Sequence, residues 1–480
     1  MENGIEKKEN GIEKKENGIG IEELDSSIKV KITQKSHVQP RKKLGRKECQ
    51  LITFDLPYLG FFYNQKLMIY KHKNDEFEET VKKLKEGLSV VLEDFYQLAG
   101  KLGRDDDDGV FKIMYDDDMD GVEVLEAIVD VNDDGNDDGM MVCVDDLSSK
   151  DDISAMKELL PYNGVLNLEG LQRPLLAIQL TKLRDGLAIG CAFNHAVLDG
   201  SATWHFMSSW AELCCGAESI SIQPFLERTK ARSTRVSLEI PQAPPQPDLS
   251  TVSAAAPVLR EKLFRFSATA IEKIKKEHNS EGPTNGTIAP AGPPFSTFQS
   301  LSSHIWRAVT AARELKPEDP TVFTIFADCR KRVDPPMPES YFGNLIQAIF
   351  TGTAAGLLLG HPPEFAAGYV KAAIGAHNAA AIDKRNKEWE DKPIIFQYKD
   401  AGMNCVAVGS SPRFKVYDVD FGFGKPERVR SGANNRFDGM VYLYSEKGGG
   451  NGIDVEISLE SKAMDNLERD KKFLMDGEVV

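Results

Sequence analysis

Apolar residues recur at spacings of three and four between positions 81 and 98: Val81, Leu84, Leu88, Val91, Phe95 and Leu98. That spacing predicts one face of an amphipathic helix over 79–98, which Gly100 stops. Elsewhere the pattern is strand-like. VKITQKSHV at 30–38 alternates apolar and polar positions as an edge strand does. LAIGCAFN at 187–194 is a short apolar run between Asp185-Gly186 and Asp199-Gly200, the pattern of a buried strand. SATWHFMSSWAEL after Gly200 reads as a helix, with Ser201 as candidate cap. The second half predicts a helix near 297–313, strands near 321–327 and 405–420, and a closing strand at 453–459.

Two stretches lack such patterning. Residues 2–23 repeat with a period of seven, and one Ile per full unit beside Gly provides no coiled-coil seam, so 1–27 reads as a disordered arm. IPQAPPQPDLSTVSAAAPV at 240–258 has the Pro, Ser and Ala content of a connecting segment, and the crossover is placed at 236–262. Domains of α/β or α+β type are therefore expected over 28–235 and 263–480. A length of 480 residues suits two such units.

Composition removes several function classes. With 59 Lys+Arg against 74 Asp+Glu, the formal net charge of −15 disfavours nucleic acid and anionic lipid surfaces as partners. Seven cysteines without CxxC spacing fit reduced thiols in the cytosol. The N-terminus is polar from its first residues, unlike a secretory signal. The weakly polar stretch Ile349 to Gly360 is far shorter than the ~20 apolar residues of a membrane span, so a soluble protein is expected. Acidic residues crowd 105–152, but no Glu completes an EF-hand loop, and solvated acidic loops are the better reading.

The sharpest chemical signal is His195-Ala-Val-Leu-Asp199-Gly200, a pattern expected by chance only about 0.05 times in such a chain. His195 ends the apolar run and shares a face with Ile189, Cys191 and Phe193, where desolvation keeps an imidazole neutral and able to accept a proton. The competing reading, commoner for an isolated histidine, is a core residue bonded to backbone. Asp199 either orients the ring as a triad carboxylate does or holds the loop as a buried carboxylate paired with an arginine. The second is favoured, with Arg313 one candidate partner. No third His or Cys stands at metal spacing, so no metal site is expected, and no GxSxG marks a serine hydrolase. Asp420-Phe421-Gly422-Phe423-Gly424 reads as a structural corner, its glycines permitting a tight turn.

HxxxDG and DFGFG, about 220 residues apart across a Pro-rich crossover, resemble the paired motifs of the plant BAHD acyltransferases. LEDFYQLAGKL (92–102), SHIWRA (303–308), ADCRKRVDPPMPESYFGN (327–344) and DVEISL (454–459) match further family blocks in the same order, so the resemblance spans about 28–475. It implies a two-domain coenzyme A-dependent acyltransferase-like α/β fold, each domain a mixed sheet flanked by helices. It also implies a monomer that binds acyl-CoA as co-substrate, with no bound cofactor. By position, His195 resembles the base that takes the acceptor hydroxyl proton in a ternary complex, Asp199 its supporting carboxylate, and Asp420 to Gly424 a remote structural motif. LITFDLPYLGFFYNQK and PYNGVLNLEGL are most similar to a cuticle-associated member, which implies hydroxy fatty acids or glycerolipid-like alcohols of cutin precursors as acceptors.

Two departures from the family pattern bear on the site. Phe423 stands where most members have Trp, and Ser410-Ser411 where many have Ser-Trp, which predicts an enlarged cavity. An anionic chain that binds coenzyme A needs a local basic patch, for which Arg330, Lys331, Arg332, Lys425 and Arg428 are candidates. The rival readings are a condensation-type, amide-forming enzyme and a non-catalytic acyl-CoA or lipid-binding relative.

Overall fold

The computed structural model describes residues 28–73, 76–129, 142–149, 154–239, 258–280, 293–395 and 404–475. The repeat arm, the densest part of the acidic region and most of the Pro-rich crossover lie outside these residues.

The first half contributes β1 (Val30–Val38), β2 (Lys47–Gln50), β3 (Asn64–Lys71), α1 (Phe77–Val91), β4 (Lys101–Arg104), β5 (Phe111–Tyr115), β6 (Val122–Val129), α2 (Val144–Ser149), β7 (Leu176–Lys182), β8 (Gly186–Phe193) and α3 (Gly200–Cys214). The second contributes β9 (Leu259–Phe266), α4 (Ala268–His278), α5 (Thr297–Ala312), β10 (Pro320–Asp328), β11 (Ile346–Ala354), α6 (Ala355–Gly360), α7 (Pro363–Ala376), α8 (Ala379–Asp391), β12 (Cys405–Val408), β13 (Arg428–Ser431), β14 (Met440–Ser445), β15 (Ile453–Glu460) and α9 (Ser461–Arg469).

Two mixed six-stranded sheets result, ordered β1-β6-β7-β8-β3-β13 and β11-β10-β12-β14-β15-β9, with a small sheet β2-β5-β4 beside the first. One strand crosses between the two halves. β13 leaves the second half to become the edge of the first sheet, pairing antiparallel with β3 from Arg428 opposite Ile69 to Ser431 opposite Lys66. The larger hydrophobic core runs from Val38 to Tyr444 and so binds both halves, while a second core packs the other sheet against α4, α5, α7 and α9.

Local outcomes follow from local chemistry. The 79–98 pattern becomes a helix only to Val91, after which turns and a 3-10 segment keep Phe95 and Leu98 buried. Apolar spacing specifies which residues are buried, and a tighter turn satisfies it as well as an α-helix does. The strand expected over 405–420 ends at Val408, because Gly409-Ser410-Ser411-Pro412 cannot continue a ladder. Asp199, not Ser201, caps α3, its side chain accepting from Ala202 N. Within the described residues the acidic stretch makes turns and ion pairs. Asp117 accepts from Leu44 N and Gly45 N, and Asp108 pairs with Arg235 at 2.6 Å.

Candidate active site

All eight residues of β8 are buried, and the chain leaves the sheet at Asn194. From there the backbone of His195 is fixed from both halves. Asn167 Oδ1 accepts from His195 N at 2.8 Å, and Asn167 Nδ2 is itself anchored on the Tyr58 carbonyl at 2.8 Å. Asn194 Nδ2 donates to Asn167 O at 2.7 Å. From the second half, Asn344 Nδ2 donates to the His195 carbonyl at 2.8 Å and to Asp55 Oδ1 at 3.1 Å. Buried amides without partners are costly, so this interlocked set admits one backbone path.

The imidazole stacks on Tyr58, with ring centroids 4.5 Å apart and planes 12° from parallel. Its Nδ1 is buried and unpaired, as is Asn344 Oδ1. An Nδ1–H tautomer matches that oxygen and leaves the Nε2 lone pair as the one a reactant can reach. Burial lowers the His195 pKa below its usual 6.5 and the nearby Lys66 charge lowers it further, against opposing contributions from its own backbone, Asp199 and Asn344. The ring is neutral at pH 7.

Asp199 does not serve as the ring's hydrogen-bonding orienter. Its Oδ2 accepts from Arg330 Nη1 at 2.9 Å and Leu345 N at 3.0 Å, and its Oδ1 from Arg330 Nη2 and Ala202 N, both at 3.0 Å. Both residues are buried. The partner is thus Arg330, and Arg313 instead pairs with Asp438 at 2.6 Å and donates to the Cys405 carbonyl at 3.0 Å. This corrects the phosphate role expected of Arg330, whose guanidinium is spent on a buried carboxylate joining the two halves. Three of the other candidate cations are already engaged. Lys331 pairs with Glu339, Arg332 donates to the carbonyls of Ile374 and His377 at 2.8 Å each, and Lys425 meets Asp418 at 2.7 Å. Arg428 lies half-buried on β13.

His195 faces a chamber of about 80 Å³ whose wall includes Tyr58, Lys66, Trp204, Phe414 and Ser410. Beyond Tyr58, Phe61, Phe326, Ile346 and Phe437, which line both spaces, lies a larger apolar cavity of about 200 Å³ reaching Trp389 and Arg385. Ser410 lines the chamber itself. Ser410 Oγ is engaged with β14, accepting from Leu443 N at 2.7 Å and donating to Leu443 O at 2.8 Å, and Ser411 Oγ accepts from Arg413 N. Phe414 and Trp204 fill that side of the chamber.

Lys66 is a chamber residue absent from the sequence reading. Its ammonium is buried, donating to Asn64 Oδ1 at 3.1 Å and Ser431 Oγ at 3.4 Å, and it lies 5.6 Å from the Tyr442 ring centroid. Burial lowers its pKa to about 8, with the Glu456 charge opposing and Arg436 adding to the fall. The signal was a lysine at the edge of the apolar run LMIY of β3, next to Leu67.

Asp420 to Gly424 lie outside both cavities. Asp420 Oδ1 accepts from Gly422 N at 2.8 Å and Gly424 N at 2.9 Å, with φ of 96° and 107° at the two glycines, conformations that a side chain would strain. Phe421 packs edge-on to Trp210 at 4.7 Å, and Phe423 edge-on to Tyr70 at 5.1 Å and His72 at 5.2 Å. A phenyl ring packs there without an indole N–H. Among the described residues no group of three or more His, Cys, Asp or Glu is arranged to hold a metal, and no helix is long and apolar enough to cross a membrane.

Comparison with known proteins adds the following. A family model described as the transferase family matches residues 28–474. BAHD acyltransferase DCR of Arabidopsis thaliana is 59% identical over 469 residues, covering 94% of this chain and 93% of that protein. Shikimate O-hydroxycinnamoyltransferase of Nicotiana tabacum is 26% identical, covering 94% of this chain and all of that one. Among solved structures, F. sporotrichioides TRI101 in complex with coenzyme A and T-2 superposes with a TM-score of 0.70 at 20% identity, covering 89% and 98% of the two chains. Vinorine synthase does so with a TM-score of 0.66 at 18% identity, covering 91% and 96%. These last two likenesses concern the fold.

Proposed function

Because this chain belongs to the BAHD acyltransferases of the transferase family, we propose that it moves an acyl group from a coenzyme A thioester to an alcohol, with His195 as general base in a ternary complex. The observation that carries this reading is a neutral imidazole, clamped through its backbone, whose reachable nitrogen faces a small chamber that shares five wall residues with a larger apolar cavity. As the acceptor oxygen attacks the thioester carbonyl, its proton passes to Nε2. The tetrahedral intermediate then collapses, the C–S bond breaks, and the proton is returned to the leaving thiolate. No covalent enzyme intermediate and no resident cofactor enter these steps. On this reading Asp199 and the Asp420 to Gly424 corner are structural, and Lys331, Arg332, Lys425 and Arg428 remain the candidate contacts for coenzyme A phosphates. The acceptor class is a hydroxy fatty acid or glycerolipid-like cutin precursor, supported by the apolar cavity beside the base. The protein is read as a cytosolic monomer, and its seven unpaired cysteines suit a reducing compartment.

The test is a thiol-release screen pairing short, aromatic and long-chain acyl-CoAs with ω-hydroxy fatty acids, glycerolipids, phenolic alcohols and amines. The expected winner is a long-chain aliphatic alcohol. Preference for amines overturns O-acyl transfer, and acyl-CoA binding without thiol release from any pair overturns catalysis.

The charge on Lys66 sets a second expectation. In the wild type, kcat/KM falls on the acid side as His195 takes up a proton below pH 6.5. Lys66→Met removes a charge that disfavours the imidazolium, so the acidic limb moves to higher pH. An unmoved limb, read from the pH profile of kcat/KM, removes either Lys66 from the electrostatics of the base or His195 from the limb.

A further inference from the structure

The apolar cavity holds a cation with no carboxylate partner. Arg385, on α8, lines it beside Phe350, Ala348 and Trp389. Its Nη1 donates to the Ala348 carbonyl, and its guanidinium lies 5.6 Å from the Phe350 ring centroid. Nε and Nη2 have no partner among the described residues. Of the two acids nearest in sequence, Asp383 serves Arg232 and Lys387, each at 2.7 Å, and Glu388, whose charge reaches Arg385 only at longer range, pairs with Lys384 at 3.8 Å. A half-buried guanidinium against aromatic walls has lost much of its hydration, and its free fork matches a carboxylate in both shape and charge. His195 faces the adjoining chamber across the shared residues Tyr58, Phe61 and Phe326, so a base and a cation stand on either side of one set of apolar residues.

We propose that Arg385 is a specificity residue that pairs with the free carboxylate of a hydroxy acid acceptor, whose hydroxyl lies at His195 and whose methylene chain fills the apolar cavity between them. This rests on the acyl-transfer reading above and narrows it, since a glycerolipid alcohol carries no such carboxylate.

The experiment compares long-chain ω-hydroxy acids with their methyl esters, using one acyl-CoA and thiol release as readout, alongside calorimetric titration of the same acids and esters without acyl-CoA. The acid is expected to exceed the ester in kcat/KM by about tenfold, the worth of one charge-assisted hydrogen-bonded pair. Arg385→Gln brings that ratio close to one through the KM of the acid, and Arg385→Lys restores part of it. Melting curves of both variants show whether loss of the bond to Ala348 has disturbed the fold, and the conservative variant carries the test if Arg385→Gln does not fold. Equal handling of acid and ester by the wild type, or a ratio unchanged in the variants, overturns the proposal. Arg385-dependent binding of the acid without thiol release from any acceptor leaves the proposed recognition standing and overturns acyl transfer instead.

Discussion

His195→Ala lowers acceptor-dependent thiol release by on the order of 10²–10⁴-fold, the usual worth of general-base help, while the melting transition stays where it is in the wild type. The two halves of this expectation have separate causes. The ring is the only group described in the chamber with a neutral, reachable nitrogen base, since Lys66 is protonated at neutral pH with its pKa near 8. The loop, by contrast, is held through the backbone of His195 by Asn167 and Asn344, and both bonds survive truncation of the side chain. The ring itself contributes a stack on Tyr58, whose loss is tolerable in a chain with two large cores. Retention of more than about a tenth of the wild-type rate removes His195 as the base.

Asp199→Ala carries the second large effect, on stability first. The substitution leaves the buried Arg330 guanidinium with only the half-exposed Asp328, 3.4 Å away, as counter-charge and strips acceptors from Leu345 N and Ala202 N. Breaking a buried pair from one side costs about 3–5 kcal/mol, and denaturant or thermal unfolding reads it directly. Arg330→Met in the Asp199→Ala background removes the stranded charge and recovers part of the loss, a coupling that a double-mutant cycle measures. If Asp199→Ala instead melts like the wild type and loses only activity, the carboxylate acts on the chemistry and the structural assignment is wrong.

What the sequence makes legible follows from where the information sits. β8, α5 and β15 each carry their pattern within their own residues, and His195 stands out because it ends one such pattern. Asp199 is visible in the same motif, but its partner is 131 residues away, and nothing near Arg313 or Arg330 distinguishes a buried guanidinium from an exposed one. Asn167 and Asn344 were illegible for the same reason. Each is an ordinary polar residue, Asn167 opening a 3-10 turn and Asn344 in a loop, until the fold brings it to the His195 backbone. Lys66 had a local signal, a charge at the edge of an apolar run, but which face of β3 meets the chamber depends on the register with β8 and β13. Arg385 sits in a helix rich in exposed charges, and only the cavity beside it singles it out.

The exchange of β13 into the first sheet has a consequence for biosynthesis. As the polypeptide emerges from the ribosome, β3 meets its neighbour β8 well before its other flank is closed, since that flank stays open until residues 428–431 appear. During that interval the nascent sheet presents unsatisfied amides and carbonyls beside a hydrophobic surface, the condition under which strands recruit the wrong partner. The first sheet is therefore completed only after most of the second half has been made, and a chain truncated before position 428 leaves it permanently unfinished.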